Sequence, residues 1–151
     1  MKKIVLITGA NGMLAKALAS HLSNDYDIRF LSRGKSKPNE FFWDPSQNFI
    51  DPEALVGVHH IIHLAGATIG NKRWTNKRKN LILSSRVDGA NLIRKELSKN
   101  HQVIESFISI SGVGYYGTVT SEKKFDELSP NGNDFLAQVC KEWEQACQAF
   151  E

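Results

Sequence analysis

The chain has 151 residues, 41% of them hydrophobic and 23% charged, and a formal net charge of +3. That length is one domain's worth and can bury roughly 70% of its unfolded surface. The composition excludes a disordered or fibrous chain, and the small positive charge favours an anionic ligand without pointing to nucleic acid.

In chain order, residues 4–8 form an apolar, β-branched run that reads as a buried strand. The run stops at Gly9-Ala10-Asn11-Gly12, and a helical pattern of Leu14, Leu18 and Leu22 follows at once. A strand, a glycine turn and a helix in immediate succession open a dinucleotide-binding unit. Gly9 permits the tight turn, and Gly12 lets backbone approach a pyrophosphate at the positive end of the helix. Ala15 stands where a third glycine usually lets helix pack on strand. The expected backbone cradle is Gly9, Ala10, Asn11, Gly12, Met13 and Leu14.

Residues 28–31 read as a second strand, followed by the basic loop Ser32-Arg33-Gly34-Lys35-Ser36-Lys37-Pro38. A third strand over 41–43 stops at Asp44-Pro45. Residues 52–55 suit one helical turn. Residues 60–64 form a fourth strand ending in Ala65-Gly66-Ala67, and a long helix is expected over about 75–98. A fifth strand over 107–110 leads into a glycine-rich stretch, 112–133, without periodicity. A loop of that length inside a domain is usually functional or mobile. A last helix starts near Asp134. Strands alternating with helices imply a Rossmann-like, doubly wound parallel α/β sheet of order 3-2-1-4-5. Its ligand crevice lies at the carboxyl ends of the first and fourth strands.

The Met-Lys-Lys start and the short run after it are too brief for a signal peptide core or a membrane span. Cys140 and Cys147, the two cysteines, would lie about 10 Å apart along one helix. Such thiols cannot pair and fit a reducing cytoplasm. His59 and His60 point opposite ways on a strand, so with His63 they make no metal set.

Several motifs coincide along nearly the whole chain: Leu6-Ile7-Thr8-Gly9-Ala10-Asn11-Gly12, His63-Leu64-Ala65-Gly66, Lys72-Arg73-Trp74-Thr75, Ser85-Arg86-Val87, Ser111-Gly112-Val113-Gly114-Tyr115-Tyr116-Gly117, and Asp134-Phe135-Leu136-Ala137 with Cys140 and Trp143-Glu144. In these the chain resembles the extended short-chain dehydrogenase/reductase superfamily of nucleotide-sugar epimerases and dehydratases. More narrowly, it is similar to an atypical branch described as NAD-dependent epimerase-like and sometimes labelled cell-division inhibitor.

The resemblance implies a nicotinamide dinucleotide. After the second strand, an Asp or Glu usually binds the ribose hydroxyls of NAD. This chain has Ser32-Arg33 there, and an arginine suits a 2′-phosphate by charge and planar donor fork. NADP is therefore expected ahead of NAD. Leu64, Ala65 and Gly66 would lie against the adenine-ribose side.

The superfamily's Tyr-x-x-x-Lys pair does not carry over. The corresponding helix reads Phe135-Leu136-Ala137-Gln138-Val139-Cys140-Lys141, with Leu136 and Cys140 in the two places. Arg86 stands where the superfamily has an asparagine. Ser111 matches the superfamily serine and equally suits a hydroxyl satisfying backbone at a strand end. Tyr115 and Tyr116 are the remaining candidates for the missing acid, or simply packing aromatics. Lys72, Arg73, Trp74 and Arg86 form a candidate substrate site for a phosphate or carboxylate; a solvated helix face anchored by Trp74 is the plainer reading.

The resemblance also implies a sixth and seventh strand and a substrate lobe beyond residue 151, so the chain reads as the N-terminal, cofactor-binding part of a longer pattern. An uncovered edge at 107–110, or the last helix, is expected to drive self-association. Two functions remain open: an NADP-dependent epimerase, dehydratase or reductase acting on a small molecule, or a non-catalytic dinucleotide-binding protein.

Overall fold

The computed structural model describes residues 2–34, 37–120, 122 and 124–150. β1 (Lys3–Thr8) is followed by α1 (Met13–Leu22), β2 (Tyr26–Ser32), β3 (Glu40–Asp44), β4 (Phe49–Ile50), β5 (Val58–His63), α2 (Asn76–Lys99), β6 (Ser106–Ser109) and α3 (Phe135–Gln148). Short 3-10 turns occupy Pro45–Gln47, Pro52–Ala54 and Val113–Tyr116.

The sheet runs β4-β3-β2-β1-β5-β6. The five strands legible in the sequence take their expected order and are parallel. The sheet differs by one added strand, β4, which pairs antiparallel with β3. Its cause is local. The Asp44 carboxylate accepts from the Ser46 amide at 3.0 Å, and Asn48 adopts the left-handed region at φ 53°. The chain therefore reverses at Pro45–Gln47, and two residues pair back, too few to leave a periodic signal.

The period of two along a strand divides the core into two clusters. Leu6, Leu31, Trp43 and Ile61 pack with Leu92, Ile93 and Leu97 of α2. Val5, Ile7, Phe30 and Ile62 face Ala15 of α1, with Leu18, Ala19 and Leu22 at the margin. Leu14, part of the expected stripe, is instead 44% exposed. Ala15 is 1% exposed, which explains the small residue at the third glycine place: it lies where α1 meets the sheet. Among the described residues no helix is long and apolar enough to cross a membrane.

Candidate functional site

Parallel strands bring their carboxyl ends to one edge, so Thr8 and His63 finish β1 and β5 side by side. Gly9 turns the chain away at φ +79°, and a Cβ there would press on Ala65 backbone at 3.3 Å. The first and second crossovers thus touch backbone to backbone. Gly12 starts α1 with no side-chain cap, whereas Thr75 caps α2 and Asp134 caps α3. The first amides of α1, at Met13 and Leu14, therefore keep donors for an acceptor from outside.

Thr8 joins the two loops. Its hydroxyl oxygen accepts from the amides of Leu64 and Ala65, each at 2.9 Å, and lies 3.0 Å from His63 Nδ1. Burial pushes the His63 pKa down to about 4. The next loop residues are held from α2. The Ser85 hydroxyl accepts from the Ala67 amide at 2.8 Å, and Arg86 Nη1 donates to the Ala67 carbonyl at 3.2 Å. Arg78 reaches over the loop, donating to the Thr68 carbonyl and, at 3.1 Å, to Asn71 Oδ1.

These constraints leave a groove of about 780 Å³ along the sheet edge. It is lined by Gly9, Ala10, Asn11 and Gly12, by Ser32, Arg33 and Gly34, by Leu64, Ala65 and Gly66, and by Lys72. Most of the expected dinucleotide residues therefore share one concavity. Ser32 is buried, and its hydroxyl donates to the Gly34 carbonyl at 2.8 Å and accepts the Gly34 amide at 3.2 Å. It shapes the turn that leaves Arg33 exposed at the rim. Lys35 and Ser36 of that basic loop lie outside the described residues. Asp44 and Asp88 are the carboxylates lining the groove, and Asp44 already accepts from Ser46 and Gln47. Those bonds, led by the Ser46 hydroxyl, hold its carboxyl below the usual range.

Thr8, His63 and Ser85 stand in recognisable motifs, and Arg78 belongs to the basic cluster that begins the long helix, but their work on the second loop and the Asp44–Ser46 wall had no reading in the sequence. The available signal was position: Thr8 and His63 end two strands that must neighbour each other in the expected order.

The remaining candidates sit elsewhere. Met13 and Leu14 turn their side chains to solvent; only their amides face the cradle. Trp74 does not reach the groove: its indole donates to the Ile69 carbonyl at 2.9 Å, and its ring meets Phe135 edge-on. Arg73 is exposed beside it. Ser111 lies at a second cavity, of about 400 Å³, between β6 and α3. Its hydroxyl donates to the Glu144 carboxylate. The Tyr116 hydroxyl donates to the Asp126 carbonyl at 2.9 Å while its ring stacks on Phe125, which ties down the long loop. Tyr115 packs edge-on against Tyr116. Cys140 is buried, its thiol 3.7 Å from the Gly112 carbonyl, and burial raises its pKa.

The profile of the NAD dependent epimerase/dehydratase family matches residues 5–138. The chain belongs to this family. An epimerase family protein of Mycobacterium leprae is 33% identical over 147 residues, which cover 96% of this chain and 47% of that protein. The crystal structure of a nucleoside-diphosphate sugar epimerase from Corynebacterium glutamicum superposes with a TM-score of 0.79 at 30% identity, over 98% of this chain and 31% of that one. The human epimerase family protein SDR39U1, solved with NADPH, gives a TM-score of 0.79 at 27% identity, over 95% of this chain and 48% of that one. The chain spans about half the length of the curated relatives it matches. No tyrosine of the sequence is followed by lysine four residues later.

Proposed function

We propose that this chain binds NADP(H) along the carboxyl edge of its sheet and forms the cofactor half of an epimerase-, dehydratase- or reductase-type enzyme acting on a small molecule. The observation that carries the reading is the single groove joining the glycine turn, Arg33 and Leu64-Ala65-Gly66. A dinucleotide needs those three features in a row: donors for its pyrophosphate, a group at its adenosine end, and close backbone along its ribose. The residues fit. The start of α1 lacks a side-chain cap and the cradle has no Cβ at Gly9 or Gly12. Arg33 presents a fork that suits a 2′-phosphate, while Asp44, the nearby acid, is occupied by its own turn. The NADPH bound by the human relative supports this choice.

When bound, the nicotinamide supplies or accepts hydride. The protein's part is to hold the pyrophosphate on the amides of Met13 and Leu14, with the Gly12 amide closing the turn onto the Gly9 carbonyl at 2.8 Å, and to fix the second loop through Thr8, Ser85 and Arg86. A non-catalytic dinucleotide-binding role is the second reading, favoured by Leu136 and Cys140 on α3 and by the engaged hydroxyl of Tyr116.

Calorimetric titration of NADPH, NADH and ATP tests the proposal. NADPH should bind most tightly, and Arg33→Ala should erase its advantage over NADH, about tenfold or more for one lost charge-assisted contact. Equal, negligible binding of all three would refute the cofactor reading.

A further inference from the structure

Arg86 projects from α2 into the space between the Gly66 loop and α3, and it is 9% exposed. The position is tight: a Cβ on Gly66 would lie 2.9 Å from the Arg86 Cζ. Nη1 donates to the carbonyls of Ile82 at 2.9 Å and Ala67 at 3.2 Å. Among the described residues no carboxylate forms an ion pair with it. Among the described residues Nε and Nη2 find no acceptor for their three N–H groups, and neither belongs with the sealed, unpartnered nitrogens Arg78 Nε and Trp143 Nε1. The Trp143 ring faces the guanidinium at 5.2 Å, and the neighbouring Cys140 thiol stays neutral because burial opposes its ionisation.

A buried cation with no counter-ion is costly, and an aromatic face offsets little of that cost. The unsatisfied edge of a guanidinium is a planar fork that fits a carboxylate with two parallel hydrogen bonds. Its place is set apart from the adenosine end: it lies beneath Gly66 and beside Cys140, whose thiol neighbours Ser111 and Glu144. Resting on the cofactor reading above, we propose that Arg86 is a specificity-determining residue that holds a carboxylate of the substrate, and that the small molecule served by this site is an acid.

The test uses acetate and its neutral isostere acetamide as probes at constant ionic strength, with the chain alone and saturated with NADPH. The readouts are the Arg86 Nε–Hε resonance and the fluorescence of Trp143, identified by its loss in Trp143→Phe. Acetate should shift the Arg86 resonance and acetamide should not, a contrast of about tenfold or more in apparent affinity for a charge-assisted fork. Arg86→Gln should abolish the acetate response in fluorescence. An Arg86 resonance in folded wild type that responds to neither probe, or equally to both, overturns the proposal and needs no substituted protein. So does an Arg86→Gln variant that keeps the acetate response, whatever happens to its NADPH binding through the Ala67 contact. NADPH binding measured beside these probes keeps the two readings separable: binding of NADPH without discrimination of acetate refutes this inference alone, and absence of NADPH binding refutes the cofactor reading.

Discussion

Thr8 Oγ1 lies 3.0 Å from His63 Nδ1, and that contact fixes the protonation of both side chains. The threonine oxygen already accepts two backbone N–H groups, from Leu64 and Ala65. Its single proton must therefore be given to Nδ1. His63 is then the tautomer with its proton on Nε2, which donates to the Arg86 carbonyl at 3.2 Å. Strand end, loop and helix are joined through two neutral side chains.

The first prediction concerns pH. The folded-state pKa of His63 is lowered from 6.5 to about 4 by burial, so the unfolded chain takes up the proton first. The stabilisation is complete above about pH 6.5 and is lost as pH falls from there toward 4, amounting to on the order of 3 kcal/mol. Urea unfolding at a series of pH values should show this slope, and His63→Gln should flatten it. An identical acid slope in the variant would contradict the assignment.

Thr8→Val tests the same junction at neutral pH. The shape is kept, but two amides and Nδ1 lose their partner inside the protein. A loss of about 2–4 kcal/mol is expected, with faster amide exchange at Leu64 and Ala65. Stability within experimental error of wild type would show that the hydroxyl does not hold the loop.

Gly89 lies in the middle of α2, where alanine normally adds about 1 kcal/mol. Here a Cβ would stand 3.0 Å from both His63 Cε1 and Trp43 Cη2. Rings held on two strands cannot retreat easily, so overpacking outweighs propensity and Gly89→Ala should cost about 1–3 kcal/mol in chemical denaturation. A stabilised variant would mean that α2 sits farther from the sheet.

Gly9 and Gly12 should separate folding from binding. Gly9→Ala is strained at φ +79° and against Ala65, with an expected loss of about 1–3 kcal/mol. Gly12 has an ordinary φ of −68°, but a Cβ there would sit 3.1 Å from the Gly9 carbonyl oxygen and intrude on the cradle. Gly12→Val should keep the fold by circular dichroism and lose NADPH. Undiminished NADPH affinity in that variant would move the pyrophosphate site elsewhere.

The outer side of β6 pairs with no strand among the described residues, and Ile108 and Ile110 are 51% and 41% exposed. An open apolar edge invites pairing. Sedimentation should show concentration-dependent self-association that Ile108→Lys weakens. A strict monomer at high concentration would refute this expectation.

The alternation of apolar runs and helical stripes made the order of five strands readable, because parallel strands with right-handed crossovers leave few topologies. The glycine turn and Ser32-Arg33 were readable because backbone freedom and charge are properties of residue type. β4 was hidden because two residues carry no period; it exists through a carboxylate cap at Asp44 and a left-handed Asn48. Tyr116 showed a hydroxyl in the sequence but not its direction, which the loop's packing sets toward Asp126.

By itself the sequence determined the order of five parallel strands and the glycine turn at the first crossover, since local conformation and hydrophobic period suffice for both. Only the tertiary structure decided that Thr8 and His63 clamp the second loop and that Arg86 is a buried cation without a carboxylate partner among the described residues. Those facts depend on contacts across 55 residues of chain from Thr8 to His63 and 23 from His63 to Arg86, and on what else occupies the space around each group. No local pattern encodes either.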